Sequence, residues 1–114
     1  MYPLKFHKTL TPEKWSDYSK SKQLLMIANE LNRAGTWLEK GDYEDVDRCY
    51  ERAFELTDLT VCDQKWRNSL KELLRFREIL GYLYVSKNPA LNKLTQSTLI
   101  ALTSGSYNML NAVG

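Results

Sequence analysis

Histidine is almost missing from this 114-residue chain, which has one, and cysteine is scarce, with two. The lone His7 has no serine, cysteine or carboxylate partner evident beside it, so no acid–base or nucleophilic constellation emerges. Helical ribonucleases that place a histidine a few residues after an arginine are disfavoured, since no histidine follows position 7. A zinc site needs more soft ligands than His7, Cys49 and Cys62 supply, and neither metal nor other cofactor is expected. Both cysteines fall in segments of helical character and read as reduced thiols. Long apolar runs are missing as well. The longest is Leu24 to Ala28, against about 20 residues for a bilayer span, so no membrane association is expected. The opening Met1 to Lys8 carries no apolar core of a secretory signal, which sets the expectation of a cytoplasmic protein. No nucleotide-binding signature occurs, and the sequence points to no enzyme.

What is present is ordinary for a globular domain: 43% hydrophobic and 26% charged residues, with a net charge of +2. One compact domain follows from that length and composition. Residues 1–10 read as an N-terminal arm, with Pro3 opposing helix and Leu4, Phe6 and Leu10 available for packing. Thr11 is a good N-cap and Pro12 suits the first helical position. From there Leu24, Ile27, Ala28, Leu31, Ala34 and Leu38 follow helical spacing, which predicts one helix from Pro12 to about Glu39. Gly41 supplies a left-handed C-terminal position and Asp42 caps a second helix running to about Asp58. Its expected apolar face is Tyr43, Val46, Tyr50, Ala53 and Leu56, with Cys49 alongside.

Asp63 caps a third helix with the stripe Trp66, Leu70, Leu73, Phe76, Leu80 and Leu83. Asn88 and Pro89 start a shorter one from Ala90 to about Leu102. The expected fold is therefore all-α: a small up-down bundle of three long helices plus a shorter C-terminal helix, over residues 11–102. Residues 103–114 read as a flexible tail.

Charge comes in blocks. Residues 1–40 hold seven Lys/Arg against four Asp/Glu, residues 41–58 two against seven, and residues 59–114 seven against three. An acidic middle helix thus separates two basic ones, and Asp47, Glu51 and Glu55 are expected to pair with Arg33, Arg75 or Arg77. Pairs of that exposed kind contribute about 0 to 1 kcal/mol each, enough to bias helix order.

The segment Trp37 to Asp58 resembles part of a tetratricopeptide repeat. Gly41, Asp42 and Tyr43 match its turn, Tyr50 an aromatic position and Ala53 a small one, and Trp37 falls where the first helix carries an aromatic. Glu30, Val46 and Asp58 depart from the pattern, and no second copy follows at the 34-residue period such repeats show. The resemblance implies a helical hairpin and carries no ligand-binding residues.

Three surfaces stand out for function. Apolar residues beyond the main stripes, Leu25 and Met26 on the first helix and Leu91, Leu94, Leu99, Leu102 and Leu110 toward the C-terminus, suit a protein interface or self-association. Trp15, Trp37, Tyr82, Tyr84 and Tyr107 read as core or core-edge residues before interface anchors. Arg67, Lys71 and Arg75, flanked by Lys65 and Arg77, form a basic ridge of the kind that contacts nucleic acid, though Glu72 and Glu78 interrupt it. The polar set Asn29, Glu30, Asn32 and Arg33 fits a buried Glu–Arg pair across helices. The leading expectation is a non-enzymatic protein-interaction module, with nucleic-acid binding as the alternative.

Overall fold

A computed structural model describes residues 10–104. The expectations for residues 1–9, His7 included, and for Tyr107, Leu110 and the rest of 105–114 lie outside the described residues. Within them the chain is all-α, with no strand: α1 Pro12–Ser16, α2 Lys20–Lys40, α3 Tyr43–Val61, a 3-10 helix Gln64–Ser69, α4 Leu70–Ser86 and α5 Pro89–Ser104. None of these helices is long and apolar enough to cross a membrane. The last helix, at 16 residues against 17 in α4, is the shortest of the four long ones and runs two residues past the expected end at Leu102.

The single first helix expected from Pro12 to Glu39 is two. Thr11 caps α1 as its hydroxyl accepts from the Lys14 amide at 3.1 Å, but Ser19 adopts an extended backbone and accepts from the Lys22 amide at 3.1 Å. A serine in that conformation offers the backbone an alternative to the helix and starts a new one. The break lets α1 turn Trp15 fully into the core.

The turn after α2 forms as its chemistry requires. Gly41 sits at φ 73°, a left-handed conformation in which a side chain would be strained. Asp42 then accepts from the Asp45 amide at 3.2 Å. Tyr43 does not join the apolar face: it opens α3 and lies 57% exposed, ahead of the buried face that begins at Val46. That face outlasts Asp58, since Leu59 and Thr60 are also buried and carry α3 to Val61.

The stripe of the third helix shifts as well. Residues 64–69 wind as 3-10, so the residue that follows Trp66 inward is Ser69, three positions on, and Leu70 faces outward. From Leu73 the α-helical spacing resumes, with Leu80 and Leu83 fully buried.

Helices α2, α3 and α4 run up, down and up, and α5 returns along α2. Two kinds of contact fix this order. Between α3 and α4, Arg77 pairs with Asp58 at 2.8 Å, the Tyr84 hydroxyl donates to Glu51 at 3.5 Å, and Lys87 pairs with Asp47. The expected charge complementarity is real: of its named partners Arg77, Asp47 and Glu51 take part in these contacts, while Arg33 pairs within α2. On α5, the buried Asn92 donates its amide nitrogen to the Leu31 carbonyl of α2 at 2.9 Å and accepts from the Tyr50 hydroxyl of α3 at 2.8 Å. Gly35 makes room for it, because a Cβ there would meet the Asn92 amide at 3.3 Å.

Each buried Leu or Ile of the core, such as Ile27, Leu31 and Leu56, contributes about 2 kcal/mol. The exposed ion pairs contribute at most about 1 kcal/mol each. Packing therefore holds the fold and the charges select its register.

Candidate functional site

Helices α4 and α5 are joined by Lys87 and Asn88 alone, with Lys87 left-handed at φ 55°. They diverge from that turn and scarcely touch, α5 leaning on α2 and α4 on α3. Among the described residues the bundle is therefore open along one seam, which forms a groove of about 580 Å³. Leu73, Phe76 and Ile79 line it from α4, Leu91, Leu94, Leu99 and Leu102 from α5, and Leu24, Ile27 and Trp66 close its base.

Two threonines in the α5 wall add little polarity. Thr95 donates its hydroxyl to the Leu91 carbonyl at 2.8 Å and Thr98 to the Leu94 carbonyl at 2.9 Å. Each hydroxyl is satisfied by its own helix, which leaves the groove without a polar demand from them. The charged groups on its lining are Glu72 and Arg75, one of each sign. Among the described residues the rest of the lining is apolar apart from Ser69 and the two threonines.

Four of the interface candidates singled out from sequence meet in this groove, Leu91, Leu94, Leu99 and Leu102, together with Arg75 of the basic ridge. Leu94 is 64% exposed at the rim, whereas Leu99 is buried and belongs to the core. Leu25 is exposed on α2 and Met26 partly buried against the core, both outside the groove lining. Trp15 is core, Trp37 and Tyr84 are partly buried, and Tyr82 is exposed.

The basic ridge is reduced. Lys65 turns inward to Asp63 at 2.9 Å and to the Tyr18 carbonyl at 3.0 Å. Arg77 is engaged with Asp58 and lies 5.2 Å over the Phe54 ring. Arg67, Lys71 and Arg75 remain exposed. Glu30 is buried, and its partner Arg33, at 3.1 Å, stands on the same helix rather than across the bundle. Cys49 is buried, which pushes its thiol pKa up, and Cys62 is exposed. Among the described residues no cluster of His, Cys, Asp and Glu is arranged to hold a metal.

Sequence reasoning missed a buried polar network at the other end of the bundle. Gln23 is fully buried. Its amide nitrogen donates to the Trp15 carbonyl at 2.8 Å and to Asp63 at 2.9 Å, and its oxygen accepts from the Trp66 indole at 2.6 Å. The Trp15 indole in turn donates to Thr60 at 3.1 Å. The Gln23 side chain thus ties α1, α2 and the 3-10 helix, and Trp15 adds the end of α3. A polar residue inside an apolar stripe was the available signal.

Burial raises the Asp63 carboxyl pKa, but hydrogen bonds from Gln23 and Lys65 outweigh it and hold the group below its usual value. A depressed carboxylate contributes stability that is present above the unfolded value of about 3.9 and is lost as pH falls through the native one. Urea unfolding followed from pH 5 downward is expected to show a decline below about pH 4 that Asp63→Asn flattens. An equally steep decline in the variant assigns the acid sensitivity to other carboxylates.

Comparison of the chain with family models, curated proteins and solved structures finds no significant match.

Proposed function

We propose that this chain is a non-enzymatic cytoplasmic interaction module that takes up an uncharged, amphipathic segment of polypeptide in the groove between α4 and α5. The observation that carries this reading is the seam itself: a channel walled by leucines and aromatics, left open by helices that diverge from a two-residue turn. A helix presenting leucines at i, i+3 and i+7 suits such a channel in size and chemistry. The balanced pair Glu72 and Arg75 favours a segment without net charge. The tetratricopeptide-like hairpin of α2 and α3 serves in this reading as the platform on which the groove is built.

A labelled, uncharged leucine-bearing helical peptide titrated into the full chain tests it. Leu94→Glu, at an exposed position on the groove rim, is expected to weaken binding about tenfold or more by placing a charge against the apolar ligand. Leu25→Glu, outside the groove, is expected to leave binding unchanged. Binding indifferent to Leu94→Glu, or abolished equally by both, sinks the reading. Salt separates it from nucleic-acid contact through Arg67, Lys71 and Arg75, because phosphate binding falls steeply with ionic strength and apolar docking does not.

A further inference from the structure

We infer that α5 is an exchangeable element: two copies of this chain swap it across the strained Lys87–Asn88 turn, so that the α5 of each lies on the α2 of the other. The inference goes beyond the reading of the groove and does not depend on what the groove takes up. Three observations carry it.

The first is where α5 is held. Its supports lie on helices distant in sequence and not on α4, the helix it follows. Asn92 bonds to the Leu31 carbonyl and the Tyr50 hydroxyl, Gln96 donates to the Asn32 side chain at 3.3 Å, and Leu99 is buried in the core. Each of these contacts forms equally well with the α2 and α3 of a second copy. Parting α5 from its own α4 sacrifices little, because the two scarcely touch.

The second is the turn. Among the described residues Lys87, at φ 55°, is the one non-glycine with a positive φ, a region where a side chain is crowded by its own backbone. Pro89 disfavours helical angles at Asn88, so the reversal of the chain falls on Lys87. Returned to ordinary helical angles, Lys87 extends α4, swings α5 off its own α2 and loses its strain. The ion pair of Lys87 with Asp47 opposes this opening, but a partly exposed pair weighs little beside a helix interface.

The third is complementarity. Without the reversal, the 16 residues of α5 project about 24 Å past the turn at roughly 1.5 Å per residue. They then present Asn92 and Leu99 to solvent, while the Leu31 carbonyl, the Tyr50 hydroxyl and the apolar face around them are uncovered on α2 and α3. Each exposed surface fits the other, and the molecule that offers both is a second copy. Closed monomer and exchanged dimer share one interface and differ chiefly by strain at two turns against the entropy of association, so concentration selects between them. In the dimer each groove takes one wall from each chain.

The test uses two full-chain variants, Asn32→Cys and Gln96→Cys, each also carrying Cys62→Ser to remove the exposed thiol. They are mixed, unfolded, refolded together at high concentration and treated with a short bismaleimide. A covalent heterodimer joining positions 32 and 96 is expected, since these positions meet where the α5 of one chain lies on the α2 of the other. Lys87→Gly in both variants is expected to lower its yield about tenfold, as glycine takes the left-handed turn without strain. Light scattering on the parent chain is expected to show a dimer fraction that rises with concentration.

A parent chain that is monomeric at every concentration overturns the inference, as does a dimer whose cross-links join other positions. A yield that Lys87→Gly does not lower also overturns it, because exchange is then not driven by the turn. Peptide binding plays no part in these readouts, so the exchange and the reading of the groove stand or fall separately.

Discussion

Gln23→Leu lowers the unfolding free energy by about 3 kcal/mol, although leucine is similar in size and more apolar. The substitution removes the acceptor of the Trp66 indole and the amide donors to Asp63 and the Trp15 carbonyl. A buried donor left without an acceptor costs about 1 to 3 kcal/mol, and loss of a hydrogen bond to a charged group adds about 1.5 to 3. Relief of the glutamine's own desolvation offsets part of that sum. In thermal unfolding the expected fall is about 10 °C or more for a domain of this size. Gln23→Glu is the informative companion. It keeps an acceptor for Trp66 but sets a second carboxylate against Asp63, so it is expected to be unstable at neutral pH and to recover partly on mild acidification. A Gln23→Leu midpoint within about 0.5 kcal/mol of the parent, the range of an ordinary surface change, means that the network does not fix α1 to α2.

The second large effect is expected at Asn92. Asn92→Leu removes the acceptor of the buried Tyr50 hydroxyl and the donor to the Leu31 carbonyl, and sets a branched side chain against Gly35. Burial pushes the Tyr50 hydroxyl pKa up to about 12, so ionisation near neutrality does not relieve it. The loss is expected to reach about 3 kcal/mol. Its distribution matters more than its size. Helix α5 packs on α2 and scarcely touches α4, so its detachment is expected to precede global unfolding. Hydrogen exchange checks this: amides of residues 90–104 are expected to lose protection while those of α3 keep it. Uniform loss along the chain makes α5 part of one cooperative unit and removes the basis for a separately movable groove wall.

Local chemistry accounts for the parts of this fold that the sequence made readable. Thr11 with Pro12, Gly41 with Asp42, and Asp63 are caps whose side chains or backbone conformations act within three residues, and each stands where its residue type requires. The four leucines of α5 could be picked out as a set, and they do share the groove, although Leu99 belongs to the core rather than to a surplus. What resisted reading depended on more than one element at once. Ser19 is as good a cap as Thr11, yet the run of helix-compatible residues around it hid the break that Trp15 needs to reach the core. The 3-10 winding of residues 64–69 displaced Leu70 from the stripe, a change of local pitch that apolar spacing alone does not encode. Gln23 and Asn92 were passed over because a periodic search counts apolar residues, whereas these two earn burial through partners distant in sequence. The groove exists only because α4 and α5 diverge, and that angle belongs to Lys87 and to the separate supports of the two helices.

The contacts between α3 and α4 have a consequence for which folds this chain avoids. Arg77 with Asp58, Tyr84 with Glu51 and Lys87 with Asp47 step in opposite directions along two antiparallel helices at nearly constant register. Sliding α4 by one turn, about 5.4 Å, separates all three donors from their acceptors together. The leucine stripe alone would tolerate such a slip, since apolar side chains pack with many others of similar size. Contacts that add little to the native state therefore act as a ruler, telling one bundle from its near copies.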